Sequence, residues 1–279
     1  VFLTCSDNYV FGTRVWYCCS GHALSKEVWS SYCGMSPSLT KRPVCITSLT
    51  RTVVSRNEFM DSLFPEEMLQ RIEKCGVIAV LVVDQPESAV PLARALLACG
   101  IDVMELTLRT PAAVDALRVV REQVPEMLAG VGTILSSSQL DEVVDAGAAF
   151  GVAPGLNVKV VERAQKLGLP FAPGVVTPSE IELAVELGCR ELKFFPAEPS
   201  GGIKYLRSMY APYAHLGLQF LPLGGLNAAN MANYLFDAAV PAIGGSWLAP
   251  RKLIQEQNWS TVIDHATEAR RIIKELREK

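Results

Sequence analysis

A lysine stands in the middle of an apolar run at Glu191-Leu192-Lys193-Phe194-Phe195-Pro196. Such a run reads as a buried strand, in which side chains alternate faces, so Lys193 shares a face with Glu191 and Phe195. A fully buried lysine is rare, because its ammonium loses water. Desolvation disfavours the charged form of an amine, and a neutral amine is what attack on a carbonyl carbon requires. Schiff-base formation is therefore the chemistry this pattern offers. The structural alternative is that Lys193 pairs with a strand carboxylate such as Glu191 or Glu105.

A second strand, Val103-Met104-Glu105-Leu106-Thr107-Leu108-Arg109, places Glu105, Thr107 and Arg109 on one face and Met104, Leu106 and Leu108 on the other. The apolar set must face covering helices, which predicts that Glu105 and Arg109 point into the protein interior. Two charges there are costly unless paired with each other or used in chemistry. Two Gly-rich turns, Leu223-Gly224-Gly225-Leu226 and Gly244-Gly245-Ser246-Trp247, follow the last two strand candidates. Bare backbone N–H groups in such turns suit a phosphate, although glycine pairs also serve plain turns.

The elements that must carry these residues recur from Met60 onward. Pro65-Glu66-Glu67 opens a helix that Gly76 closes, and Val77–Val83 follows as a strand buried on both faces. A helix then runs from Pro86 to Cys99. Further strands are expected at Asp102–Leu108, Met127–Val131, Phe150–Ala153, Pro170–Ala172, Glu191–Phe195, Leu218–Leu221 and Val240–Ile243. Helical patterns lie between them, over about 111–123, 136–146, 157–167, 178–188, 202–210 and 227–237, and a helical tail spans about 258–277. Strands alternating with helices mean βαβ units and a parallel sheet. The predicted fold class is α/β, a compact (β/α)8 TIM barrel with an N-terminal helix before the first strand and a C-terminal helical tail. A doubly wound open sheet would want a Gly-rich loop after its first strand, where this chain has Val83-Asp84-Gln85-Pro86. In a barrel, Lys193, Glu105 and both glycine pairs gather at the C-terminal strand ends, where active sites sit.

Composition narrows the function classes. With 279 residues, 49% hydrophobic and 20% charged, the chain can bury a large core. No apolar run reaches membrane-spanning length, and a net charge of −3 argues against broad nucleic-acid binding. From Met60 onward the histidines are His215 and His265, neither near a strand end, so neither a His-based metal site nor a Ser–His–Asp triad is expected. Cys75, Cys99 and Cys189 fall at helix ends and read as packing residues. Residues 1–59 differ in kind: they are net basic, rich in Ser and Thr, without periodicity, and hold Cys5, Cys18, Cys19, Cys33 and Cys45. The chain starts at Val1, and patterned sequence begins at Met60. The segment is therefore read as a disordered extension or an overextended start, with a transit peptide or a folded extension as alternatives.

From about residue 66 to 275 the chain resembles the bacterial 2-keto-3-deoxy-6-phosphogluconate aldolases, which often also act on 4-hydroxy-2-oxoglutarate. The matching stretches are Glu105-Leu106-Thr107-Leu108-Arg109-Thr110, Gly130-Val131-Gly132-Thr133, Ala153-Pro154-Gly155, Pro173-Gly174-Val175-Val176-Thr177, Lys193-Phe194-Phe195-Pro196-Ala197-Glu198, Gly224-Gly225 and Gly244-Gly245-Ser246-Trp247-Leu248. The resemblance implies a class I aldolase with no metal and no cofactor. In it, Lys193 forms the Schiff base and Glu105 shuttles protons. Arg109 and Thr133 hold the pyruvate carboxylate, Pro154 and Phe195 line the pocket, and Gly224, Gly225 and Ser246 hold the phosphate. It also implies a phosphorylated keto-acid substrate, a homotrimer and a cytoplasmic location. One departure concerns substrate choice: Leu223 stands where the family usually has threonine, which leaves related acids such as the 6-phosphogalactonate open. A phosphate-binding barrel isomerase or epimerase would share the glycine loops without needing a buried lysine. A non-catalytic binding protein would need neither Lys193 nor Glu105.

Overall fold

Pro65 and the acidic pair Glu66 and Glu67 begin α1 (Glu66–Cys75), and Gly76, at φ 73°, ends it with its N–H on the Ile72 carbonyl. The computed structural model describes residues 16–17, 23–24 and 62–278. Trp16–Tyr17 and Ala23–Leu24 pair as a short antiparallel ladder in a unit of their own. The other expectations for residues 1–59 lie outside the described residues.

After α1 come β1 (Val77–Leu81), α2 (Ala89–Ala98), β2 (Val103–Thr107), α3 (Ala113–Gln123), β3 (Leu128–Gly132) and α4 (Ser137–Asp145). The chain continues through β4 (Gly151–Val152), α5 (Val158–Leu167), β5 (Phe171–Ala172), β6 (Gly174–Val175), α6 (Pro178–Glu186), β7 (Glu191–Phe194) and α7 (Gly202–Tyr210). It closes with β8 (Gln219–Pro222), α8 (Met231–Leu235), β9 (Ile243–Gly245), α9 (Arg251–Gln255) and α10 (Trp259–Arg277). Every pairing among β1–β9 is parallel, in the orders β9-β1-β2-β3-β4-β5 and β8-β7-β6.

The two sheets make one barrel. β5 and β6 are the two halves of a single strand position, broken at Pro173, which has no N–H for the ladder. The Pro173 carbonyl still accepts from Lys193 N at 2.9 Å, so the chain passes from one sheet to the other without leaving the wall. On the opposite side, Phe220 N donates to the Ala239 carbonyl at 2.7 Å and joins β8 to the segment entering β9. Eight strand positions thus close in sequence order, the architecture of a (β/α)8 barrel.

The interior is filled in layers. Gly130 on β3 leaves room for the Phe150 ring, since a Cβ there would lie 2.3 Å from it. Phe64, buried ahead of α1, packs on Phe150 with ring centroids 6.5 Å apart. Ser62 donates to the buried carboxylate of Glu191 at 2.7 Å. Phe64, Phe150 and Ser62 close the N-terminal end of the barrel and leave the C-terminal end open. There, Asp84 beyond β1 accepts from Arg251 at 2.9 Å and Gln255 at 2.8 Å, both on α9, tying the first strand-end loop to the last. The Arg251 bond, helped by Gln255, holds the Asp84 carboxyl down at about 2.

Several boundaries differ from the sequence expectation. The helix expected from Pro86 opens as a 3-10 turn, Pro86–Ser88, before α2. The helix expected over about 227–237 shortens to Met231–Leu235, because Asn227 and Asn230 spend their side chains on local loop amides and carbonyls. The last strand is Ile243–Gly245 rather than Val240–Ile243. Gly244 and Gly245 are therefore strand residues and not a turn after the strand. Their missing Cβ atoms are explained by packing: at Gly244 one would lie 2.2 Å from Leu223 Cγ, and at Gly245 2.3 Å from the Trp247 ring.

Candidate active site

At the C-terminal ends of the strands a cavity of about 410 Å³ is lined by Val80, Glu105, Thr107, Arg109, Thr133, Pro154, Lys193, Phe195, Leu223, Gly224, Gly244 and Ser246. Its inner end is an ion pair. Lys193 Nζ on β7 donates to Glu105 Oε1 on β2 at 3.3 Å, and the two side chains are 6% and 2% exposed. Of the carboxylates that could have paired with Lys193, Glu105 does so. Glu191 lies two residues toward the closed end, taken by Ser62, and burial pushes its carboxyl up despite that bond.

Space for the pair is created by what is absent from β3. A Cβ on Gly132 would fall 1.6 Å from Glu105 Oε1, so the carboxylate occupies the place of a side chain. Gly174 on β6 does the same for the wall, where a Cβ would lie 2.3 Å from the Pro154 carbonyl carbon. The Phe195 ring sits with its centroid 5.5 Å from Lys193 Nζ, within the range of a cation–π contact. Thr133, directly after β3, holds φ 62°, which a β-branched residue rarely adopts. Such strain persists only where surrounding structure imposes it, and here it falls in the cavity wall.

Arg109 requires a correction. The alternation of β2 carries Glu105 and Thr107 inward, but the strand ends at Thr107 and the chain turns. Arg109 is exposed at the cavity mouth, not inside the barrel, and no Glu105–Arg109 pair forms. Among the described residues no carboxylate pairs with it. Gly225 does not itself line the cavity, and a Cβ there would lie 2.6 Å from Glu198 Cβ. Pro154, Thr133, Phe195, Gly224 and Ser246 all reach the cavity as expected. Sequence reasoning passed over Val80 and Thr107 as site residues. Thr107 could have been found, because it shares the inward face of Glu105; its hydroxyl donates to the Leu81 carbonyl at 2.9 Å.

Chemically, the site offers an amine and a carboxylate in contact at its base and a guanidinium at its rim. The amides of Gly224 and Gly225 have no acceptor among the described residues. Among the described residues no group of three or more His, Cys, Asp or Glu side chains converges, and no helix is long and apolar enough to cross a membrane. Cys75 and Cys189 are buried in the core, and burial, with Glu191 nearby, pushes the Cys189 thiol up to about 12.

The fit between Glu105 and Gly132 has a direct test. Gly132→Ala should fold with a loss of about 1–3 kcal/mol in urea denaturation, and its crystal structure should show Glu105 moved out of hydrogen-bonding range of Lys193.

Comparison with known proteins agrees with this geometry. Residues 68–265 match the family described as KDPG and KHG aldolase. The KHG/KDPG aldolase of Escherichia coli K12 is 42% identical over 193 residues, covering 69% of this chain and 90% of that protein. The 2-dehydro-3-deoxy-phosphogluconate aldolase of Haemophilus influenzae is 39% identical over 197 residues, covering 71% and 92%. A Legionella pneumophila KDPG aldolase, solved with pyruvate captured at low pH as a covalent carbinolamine intermediate, is 37% identical with a TM-score of 0.69, covering 72% of this chain and 97% of that one. With a buried Lys193–Glu105 pair at the open end of an α/β barrel and a family match across most of its length, the chain belongs to the KDPG and KHG aldolase family.

Proposed function

We propose that this family member is a class I aldolase in which Lys193 is the Schiff-base nucleophile and Glu105 the proton carrier. Its substrate is 2-keto-3-deoxy-6-phosphogluconate, with 4-hydroxy-2-oxoglutarate as a second substrate. The observation that carries the reading is the 3.3 Å contact between a buried amine and a buried carboxylate inside the barrel. Glu105 can accept the ammonium proton and so free the Nζ lone pair for the C2 ketone. Addition gives a carbinolamine, and Glu105 returns its proton to the departing hydroxyl, so that water leaves, a protonated imine forms and the carboxylate is restored. Glu105 then takes the C4 hydroxyl proton, directly or through one water. The C3–C4 bond breaks, its electron pair passes into the imine to form an enamine, and glyceraldehyde 3-phosphate leaves. Protonation at C3 and hydrolysis release pyruvate and restore Lys193. From the unphosphorylated acid the same steps give pyruvate and glyoxylate.

The remaining assignments follow the cavity lining and, for Gly225, its free amide on the adjoining turn. Arg109 at the rim and Thr133 hold the substrate carboxylate, Pro154 and Phe195 flank the carbon skeleton, and Gly224, Gly225 and Ser246 receive the phosphate. We place the activity in residues 60–279, and the family resemblance is the ground for reading the enzyme as a cytoplasmic homotrimer.

Leu223 favours a second reading of substrate choice. It lines the cavity, is 5% exposed and packs onto Gly244, so an apolar wall stands where a hydroxyl would touch the sugar chain. Discrimination between C4 epimers is thereby weakened, and the 6-phosphogalactonate is the alternative substrate.

Lys193→Ala should abolish both turnover and the adduct that borohydride traps with pyruvate; trapping that persists on another lysine would reject the assignment. Glu105→Gln should still form the pyruvate adduct under prolonged borohydride trapping, with water taking the ammonium proton slowly, but should slow cleavage by about 10²-fold or more, and stopped-time product assays would expose near-normal turnover. Leu223→Thr should sharpen the ratio of kcat/KM between the two C4 epimers, by roughly the tenfold of one hydrogen bond. An unchanged ratio would make Leu223 a bystander.

A further inference from the structure

The β7–β8 ladder continues beyond its strands into the loops that follow them. Ala197 N donates to the Leu223 carbonyl at 2.7 Å and Glu198 N to the Gly224 carbonyl at 3.0 Å. The glycine turn therefore lies directly on the loop after the lysine strand. A Cβ at Gly224 would come 3.2 Å from Pro196 Cα, and at Gly225 2.6 Å from Glu198 Cβ. Both glycines hold positive φ, 99° and 83°. Glu198 itself does not line the cavity. Its carboxylate accepts the hydroxyl of Tyr234, a side chain on α8 that is 1% exposed. A methyl added at Gly202, the first residue of α7, would lie 3.2 Å from Glu198 Oε1 and 3.4 Å from the Tyr234 hydroxyl. A buried phenol, a carboxylate and a helix start thus converge against the glycine turn, and none of them takes part in the chemistry derived above.

We propose that the Tyr234–Glu198 hydrogen bond is a positioning element that fixes the Gly224–Gly225 turn, so that its free amides present to the substrate's phosphate. The proposal rests on the aldolase reading and extends it to residues outside the cavity. A carboxylate next to a phosphate site repels the dianion unless it is held and its charge is taken up by a donor. The Tyr234 hydroxyl does both, and the two backbone bonds transmit the fixed position to Gly224. Because phosphate is gripped alike in the ground and transition states, loosening the turn weakens binding and leaves the bond-breaking step untouched.

The experiment measures kcat and KM of the full chain for the phosphorylated substrate and for 4-hydroxy-2-oxoglutarate, with borohydride trapping of pyruvate alongside. Tyr234→Phe and Glu198→Ala should raise KM for the phosphorylated acid about tenfold. In both variants kcat, and KM for the unphosphorylated acid, should stay within about twofold. Glu198→Gln keeps an acceptor for Tyr234 and should restore most of the loss. Equal rises in KM for both substrates, or no rise for the phosphorylated one, overturn the proposal. Should Tyr234→Phe fail to fold, the two variants at the exposed Glu198 decide the matter. Failure of trapping in the unsubstituted protein would instead reject the aldolase reading itself.

Discussion

Two opposite charges held out of water, Lys193 and Glu105, set the terms for everything around them. Each alone would be strongly destabilising inside the barrel, and each is tolerated because the other lies within hydrogen-bonding distance. A buried pair of this kind adds little to stability beyond what apolar residues of the same size would supply. Stability therefore does not account for its presence, whereas the chemistry proposed for the two side chains does. The wall makes room for it through bare backbone: Gly132 yields its side-chain volume to the Glu105 carboxylate, and Gly174 lets the wall close against Pro154.

The barrel interior divides along its axis. At the N-terminal end it is closed by Phe64 on Phe150 and by Ser62 on Glu191, so a second buried carboxylate is confined to the far side of the lysine. At the other end the strand termini open into loops that carry polar groups with few internal partners. Closing one end concentrates reactive groups at the other, where a substrate enters without unpacking the core. The Asp84–Arg251 clasp joins the first and last strand-end loops at that mouth, and the lacing of the β7 and β8 loops does the same for their neighbours. Backbone bonds thus tie the loops around the site to one another, whereas Arg109 projects from a turn with no carboxylate partner among the described residues.

Much of this was legible in the residues alone. The alternation of helical and strand patterns from Met60, each bounded by glycine or proline, specifies eight parallel strand positions, because burial on both faces and local turn chemistry are properties of short segments. Lys193 and Glu105 were visible as charges within apolar strands, an arrangement with a free-energy cost that demands an explanation. Other features depended on contacts between residues far apart in the chain. Which carboxylate meets Lys193 is set by the stagger of β2 against β7 across the barrel, and no local pattern encodes it. Strand alternation alone would carry Arg109 inward, but pairing with β3 stops at Gly132 and the chain turns after Thr107. Likewise Gly244 is bare because Leu223 packs on it, and Gly225 because Glu198 does; a glycine seen in sequence announces a close approach, and only the tertiary structure decides what approaches.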